Sequence, residues 1–196
     1  MDSDKEKKIL EQSKTNPLDF EEIFDSYYPR IFRYILYRTG NPDIAKDISA
    51  ETFYKALNKI NTYNSDRGSF SAWVYKIANN EINYYFRKKK YEPASYNAAI
   101  EEGGFAEPQA KVDIENEFIE VQEEMAKNKD FLQICEAIKN IPQIYQEVIT
   151  LRFLENKKIS EISMILDKKE GTIKSILSRG ILKLKKYFSS RKRNVF

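Results

Sequence analysis

Apolar residues along the chain fall at helical spacing, and no strand-like alternation competes with them. From Phe20 onward Ile23, Phe24, Tyr27, Ile31 and Ile35 step by three and four, the period of an amphipathic helix. Pro29 breaks the run and is expected to start a new helix or bend the old one. Gly40, Asn41 and Pro42 then close the element and open the next, with Asn41 as N-cap and Pro42 at the first helical position. Ile44, Ile48, Phe53 and Leu57 carry this second helix to about Ile60. Residues 61–68, NTYNSDRG, form a polar turn, and Ser69 caps a third helix running from Phe70 to about Lys89. Its Phe70, Val74, Ile77, Ala78 and Tyr85 can share one core face, which makes a small helical bundle.

Periodicity fails from Tyr91 to Gly104, where Pro93, Gly103 and Gly104 mark a linker. Ile114, Phe118, Val121 and Met125 restore a helical stripe in an acidic frame. Three or four further helices follow, separated at Ile141-Pro142, at residues 155–158 and at residues 167–169. The expected fold class is therefore all-α, with two small helical domains joined by an acidic linker. The expected divisions are a flexible extension over 1–17, a bundle over 18–90, a linker over 91–128, a second domain over 129–188 and a basic tail over 189–196.

Residues 158–187 read as helix-turn-helix. Ser160 is expected to cap the first short helix, with Ile159 and Met164 as a hydrophobic staple across it. Ile162, Ile165 and Leu166 point inward; after a turn at 167–169, the second helix buries Ile173, Leu177, Ile181 and Leu184. Its outward face offers Lys169, Glu170, Thr172, Lys174, Ser175, Ser178 and Arg179. Short polar side chains suit base edges and cations suit phosphates, so this face fits a DNA major groove. A solvated basic face on a helical hairpin is the alternative that periodicity alone leaves open.

Charge sharpens the division. Residues 1–90 hold 16 basic and 13 acidic side chains, residues 91–130 hold 3 and 11, and residues 131–196 hold 14 and 6. A basic C-terminal block favours a polyanionic partner. The acidic middle fits either a solvated linker extended by self-repulsion or a segment threading a positively charged channel.

Composition excludes no enzyme chemistry outright but leaves hydrolysis, phosphoryl transfer and metal chemistry without their usual equipment. The chain has no histidine, one cysteine and six glycines without a phosphate-loop pattern. The commonest general base and zinc ligand is thus missing, and no nucleophile–base pair or metal set stands out. We expect no catalytic residues, no cofactor, no metal and no small-molecule substrate. Cys135 is expected to be a small buried thiol. No run approaches a membrane span, and residues 1–12 lack a signal-peptide core, so no membrane insertion and a cytoplasmic location are expected.

Two stretches carry a family resemblance. Ile141-Pro142 through Phe153, with Tyr145, Glu147, Val148, Leu151 and Arg152, leads into Glu161-Ile162, Leu166 and the run Glu170-Gly171-Thr172-Ile173-Lys174-Ser175. This resembles region 4 of the sigma-70 superfamily, and the EGTIKS run resembles small sigma factors of the extracytoplasmic-function (ECF) type. Phe20, Tyr27-Tyr28, the segment Asp47-Ile48-Ser49-Ala50-Glu51-Thr52-Phe53 and the run from Ser69 through Trp73 to Asn80 resemble sigma region 2.

The resemblance implies an RNA polymerase sigma factor with promoter DNA and core polymerase as partners, through the β′ clamp and the β flap. An anti-sigma factor is a further partner implied by the family. Asp47, Ala50, Glu51 and Phe53 correspond to the clamp-docking segment, where Ala50 replaces the usual Gln. The helix from Glu170 corresponds to the reader of the −35 element, with Ile176 where the family often has Arg.

The −10 element falls to the loop residues Tyr63, Asn64, Asp66, Arg67 and Ser69. Beyond them come Trp73, Lys76, Asn79, Asn80, Asn83, Tyr84 and Arg87 on the following helix. Promoter opening holds an extruded base, which calls for aromatic stacking and cations along one strand. Trp73 is expected to pack in the core with an exposed edge. Asn79 and Asn83 stand where the family commonly has Arg and Asp. A free-standing helix-turn-helix regulator is the alternative function.

Overall fold

The computed structural model describes residues 3–91 and 129–193, all of whose regular elements are helical. The acidic linker and the stripe at 114–125 lie outside the described residues.

In the first domain α1 (Ser3–Ser13) precedes a 3₁₀ turn at Pro17–Phe20, followed by α2 (Glu21–Thr39), α3 (Pro42–Asn58) and α4 (Phe70–Tyr91). Helix α2 runs through Pro29, so the chain does not begin a new helix there. Gly40 ends it in the left-handed region at φ 67°, returning its N–H to the Leu36 carbonyl at 2.7 Å. Asn41 caps α3 by accepting from the Ile44 N–H at 3.0 Å, as its sequence predicts. The Ser69 hydroxyl accepts from the Ala72 N–H at 3.2 Å and caps α4.

Ile23, Ile31, Ile35, Phe70 and Val74 are fully buried at the centre. Phe70 is the hub of an aromatic cluster, with Tyr27 at 5.1 Å and both Tyr63 and Trp73 at 5.5 Å between ring centroids. Such tilted and edge-on pairs add to simple area burial and fix the loop that carries Tyr63.

Residues 3–13, expected within a flexible extension, form a packed helix. Ile9 and Leu10 are buried, and the Tyr27 hydroxyl donates to Glu6 at 2.7 Å.

The second domain comprises α5 (Lys129–Lys139), α6 (Gln143–Ile149) with a π-helical turn at Thr150–Leu154, α7 (Ile159–Leu166) and α8 (Glu170–Arg193). Helix α7 starts two residues earlier than expected, with Lys158 in place of Ser160 at the N-cap. Its capping contact is the Glu161 carboxylate accepting the Lys158 N–H at 2.9 Å, so Ser160 lies inside the helix and caps nothing. Met164 is no staple either: it lies against Gly68 of the first domain. Asp167, left-handed at φ 53°, forms the turn into α8, which continues through the expected tail to Arg193. Cys135 is buried, and burial pushes its thiol up.

The two domains share one core. Val148, Leu151, Ile162, Ile165 and Ile173 pack into the same cluster as the first-domain residues, and α4 lies against α7. Ile138, Ile141 and Ile149 form a second, smaller cluster beneath α8.

Candidate nucleic-acid interface

The outward face of α8 stands as expected. Lys169, Glu170, Thr172, Lys174, Ser175, Ser178 and Arg179 are all exposed, while Ile173 is completely buried beneath them. Leu177, Ile181 and Leu184 are half-buried rather than sealed. Gly180, a position the sequence reading passed over, sets how close α8 lies to α6. A Cβ there would meet Ile149 Cδ1 at 2.8 Å and Tyr145 Cβ at 3.2 Å. Three positive charges and three hydroxyls therefore project from one rigid, unobstructed helical face.

The loop at 61–68 is built by small capping contacts. The Asn64 Oδ1 accepts the Asp66 N–H at 2.8 Å, and the Tyr63 hydroxyl donates to the Gly68 carbonyl at 3.2 Å. Tyr63 is thereby a buried support, not a free stacking surface. Asn64, Asp66, Arg67 and Ser69 remain exposed. Trp73 is half-buried and packs on Tyr63 and Phe70, leaving an edge outward as expected.

Helix α4 divides in two. Asn80, Tyr84 and Arg87 face solvent. Asn79 does not: it is 5% exposed, and its Oδ1 accepts from the Tyr34 hydroxyl at 3.0 Å and from Arg38 Nη1 at 3.2 Å. Asn83 accepts from Gln143 of α6 at 2.5 Å, and Lys76 lies 3.7 Å from Asp167. Asn79 is thus closed off by Tyr34 and Arg38 of its own domain, whereas the Asn83 side chain is engaged by Gln143 of the second domain. Asn80, Asn83 and Arg87 line one wall of a 520 Å³ cleft whose other wall carries Gln143, Ile144 and Glu147.

The covering contact is polar at its centre. Arg38 is fully buried, with Glu147 of α6 at 3.7 Å. The Tyr75 hydroxyl donates to Glu155 at 2.5 Å, and Arg33 lies 3.9 Å from that carboxylate. Burial raises the Glu155 carboxyl above its ordinary value, against the lowering pull of the Tyr75 hydrogen bond and of Arg33. Lys157 donates to Ser71 at 2.7 Å and sits 4.4 Å over the Tyr75 ring; burial pushes its ammonium down. Nothing in the sequence spacing pairs Arg38 with Glu147 or Tyr75 with Glu155, which are about 80 or more residues apart along the chain.

On α3, Asp47 and Ala50 are exposed and Glu51 is half-exposed, pairing with Lys55 at 2.9 Å. Phe53 follows the apolar stripe of α3 inward, although it lies in the segment that resembles the clamp-docking one. It is buried against Phe24, with centroids 4.9 Å apart, so it holds α3 to α2 and presents nothing outward. No described helix is long and apolar enough to cross a membrane.

The sigma-70 region 2 model matches residues 23–91, and the sigma-70 region 4 model matches residues 131–184. The chain is 26% identical to the ECF RNA polymerase sigma factor BldN of Streptomyces coelicolor, over 92% of this chain and 64% of that one. It is 30% identical to the ECF RNA polymerase sigma-E factor of Escherichia coli, over 68% of each. The chain thus spans about two thirds of the length of these two relatives. Among solved structures, the sigma factor RpoE in complex with the anti-sigma factor NepR, from Bartonella quintana, has the same fold. Its TM-score is 0.64 at 21% identity, covering 87% of this chain and 97% of that one. Region 2 and region 4 matches in this order, on two helical units whose second carries an exposed helix-turn-helix face, place the chain in the sigma-70 family, as an RNA polymerase sigma factor of the ECF type.

Proposed function

We propose that the chain binds core RNA polymerase and directs it to promoters, with labour divided between faces. Asp47 and Glu51 on α3 dock on the β′ clamp, and the second domain engages the β flap. The exposed α8 face, with Lys174 and Arg179 as its cations, reads the −35 duplex. The loop at 61–68 and the α4 face through Asn80, Tyr84 and Arg87 hold the opened −10 strand.

The observation that carries this reading is the separation of surfaces. The α8 face is open and rigid, whereas the inner α4 face is covered by α6 and α7. Duplex binding by α8 needs no rearrangement; strand capture by Asn83 needs its contact with Gln143 to break, which parting of the domains provides. Core polymerase, by holding the two domains at separate sites, would supply that separation. An anti-sigma protein is a further partner under this reading, since the solved structure of like fold is of a sigma factor held by one.

The test pairs two sets of variants in one assay. Lys174→Ala and Arg179→Ala should weaken −35-dependent initiation by roughly tenfold each and leave core-polymerase binding intact, as expected for single contacts of about 1–3 kcal/mol. Joint Asp47→Ala and Glu51→Ala substitution should lose core binding and keep duplex affinity. The same loss of core binding in both sets would overturn the division.

A further inference from the structure

Between α3 and α4 one ammonium is shared by two carboxylates. Lys55 Nζ donates to Glu81 Oε2 of α4 at 2.7 Å and lies 2.9 Å from Glu51 Oε1, one turn back on its own helix. Asp47, Glu51 and Lys55 are spaced four residues apart, so they share one stripe of α3. The two glutamates differ in access: the Glu81 side chain is 12% exposed and that of Glu51 43%. Glu51 can meet a partner of this stripe, whereas Glu81 lies behind Lys55, largely withdrawn from solvent. Burial pulls the Lys55 ammonium down, but the hydrogen bonds to Glu81 and Glu51 outweigh it and hold the group above its ordinary value.

Lys55 and Glu51 alone would form a neutral surface pair with little left to attract a cation. Glu81 changes that balance. It adds a second negative charge where water screens it less, so it competes for the ammonium and leaves the group of three net negative. A Lys55 N–H still fixes the Glu51 carboxylate in place. We propose that Lys55 is a positioning residue for Glu51 and that Glu81 acts through it, taking up the ammonium charge so that Glu51, held in one orientation, still offers negative charge to a basic polymerase surface. The proposal rests on the assignment of Asp47 and Glu51 to the β′ clamp; docking carboxylates call for a cationic partner.

The experiment titrates the full chain against core polymerase over a series of salt concentrations, followed by fluorescence anisotropy. Glu81→Gln keeps the shape and an acceptor for Lys55 but removes the charge. It should weaken core binding by about tenfold and flatten its salt dependence. Combining Glu81→Gln with Lys55→Gln strands no charge and returns Glu51 to net negative, so at least about threefold of the loss should be regained and the salt dependence restored. A mere clasp between α3 and α4 would move the melting midpoint and leave that salt dependence alone. Should Glu51→Gln weaken core binding while Glu81→Gln matches the intact protein, the inference is overturned and the clamp assignment stands. A double variant no tighter than Glu81→Gln would overturn it as well. Should Glu51→Gln bind core as tightly as the intact protein, the clamp assignment of Glu51 falls, and this inference with it.

Discussion

Replacing Glu147 with Gln tests what holds the two domains together. In the closed arrangement Arg38 is fully buried; its Nη1 donates to Tyr34 and Asn79, both at 3.2 Å, and Glu147 supplies the counter-charge at 3.7 Å. Arg38 Nε and Nη2 make no hydrogen bond. Stripping the partner from a buried charge costs about 3–5 kcal/mol. The 3.7 Å separation is a charge contact without a hydrogen bond, so the lower end, about 3 kcal/mol, applies. The penalty exists only while the domains are closed, because opening returns Arg38 to water. At about 1.4 kcal/mol per tenfold, the closed-to-open ratio should fall by roughly 100-fold.

Small-angle scattering on the full chain would read this as an increased radius of gyration. Affinity for single-stranded oligonucleotides should rise in parallel as Asn83 is released from Gln143. Adding Arg38→Met to Glu147→Gln removes the stranded charge and should restore most of the closed form, a non-additivity that two independent sites would not give. An unchanged radius of gyration together with unchanged oligonucleotide affinity in Glu147→Gln would refute the reasoning.

Two further outcomes follow from the same geometry. Gly180→Val, whose branched side chain cannot fit where even a Cβ would meet Ile149 Cδ1 at 2.8 Å and Tyr145 Cβ at 3.2 Å, should lower the stability of the second domain by about 1–3 kcal/mol; a thermal melt reads this, and an unchanged midpoint would contradict the close approach. Glu155 has a carboxyl raised by burial in the closed form and returned to its ordinary range on opening. The closed form therefore binds the extra proton, its stability from this group being fully present below the ordinary carboxylate value and lost as pH rises through the raised one. Closure should tighten as pH falls through that window. Scattering across a pH series reads this, and Glu155→Gln should abolish that part of the response.

The helices, their order and the recognition face were legible because each rests on local signals: three-and-four spacing, the Asn41-Pro42 start and short polar side chains outside Ile173. Boundaries set by competing caps were less so. Ser160 has the right chemistry for an N-cap, yet Glu161 reaches back to Lys158 and the helix begins before it. What escaped is long-range. The stripe that holds Ile48 and Phe53 turns inward by its own spacing, but that Phe53 meets Phe24 of α2 is a contact no spacing names. Asn79 reads locally as a helix-surface amide, whereas tertiary packing makes it the acceptor for both Arg38 and Tyr34. A guanidinium at position 79 would face that of Arg38, so asparagine there fits this interior.

As a sigma factor, this chain should confer promoter specificity on core polymerase. Purified protein and core enzyme, on a genomic template library with transcript 5′ ends sequenced, test it most directly. A discrete set of start sites absent with core alone, sharing two upstream elements at constant spacing, is the expected result. Initiation patterns identical with and without the protein would contradict it.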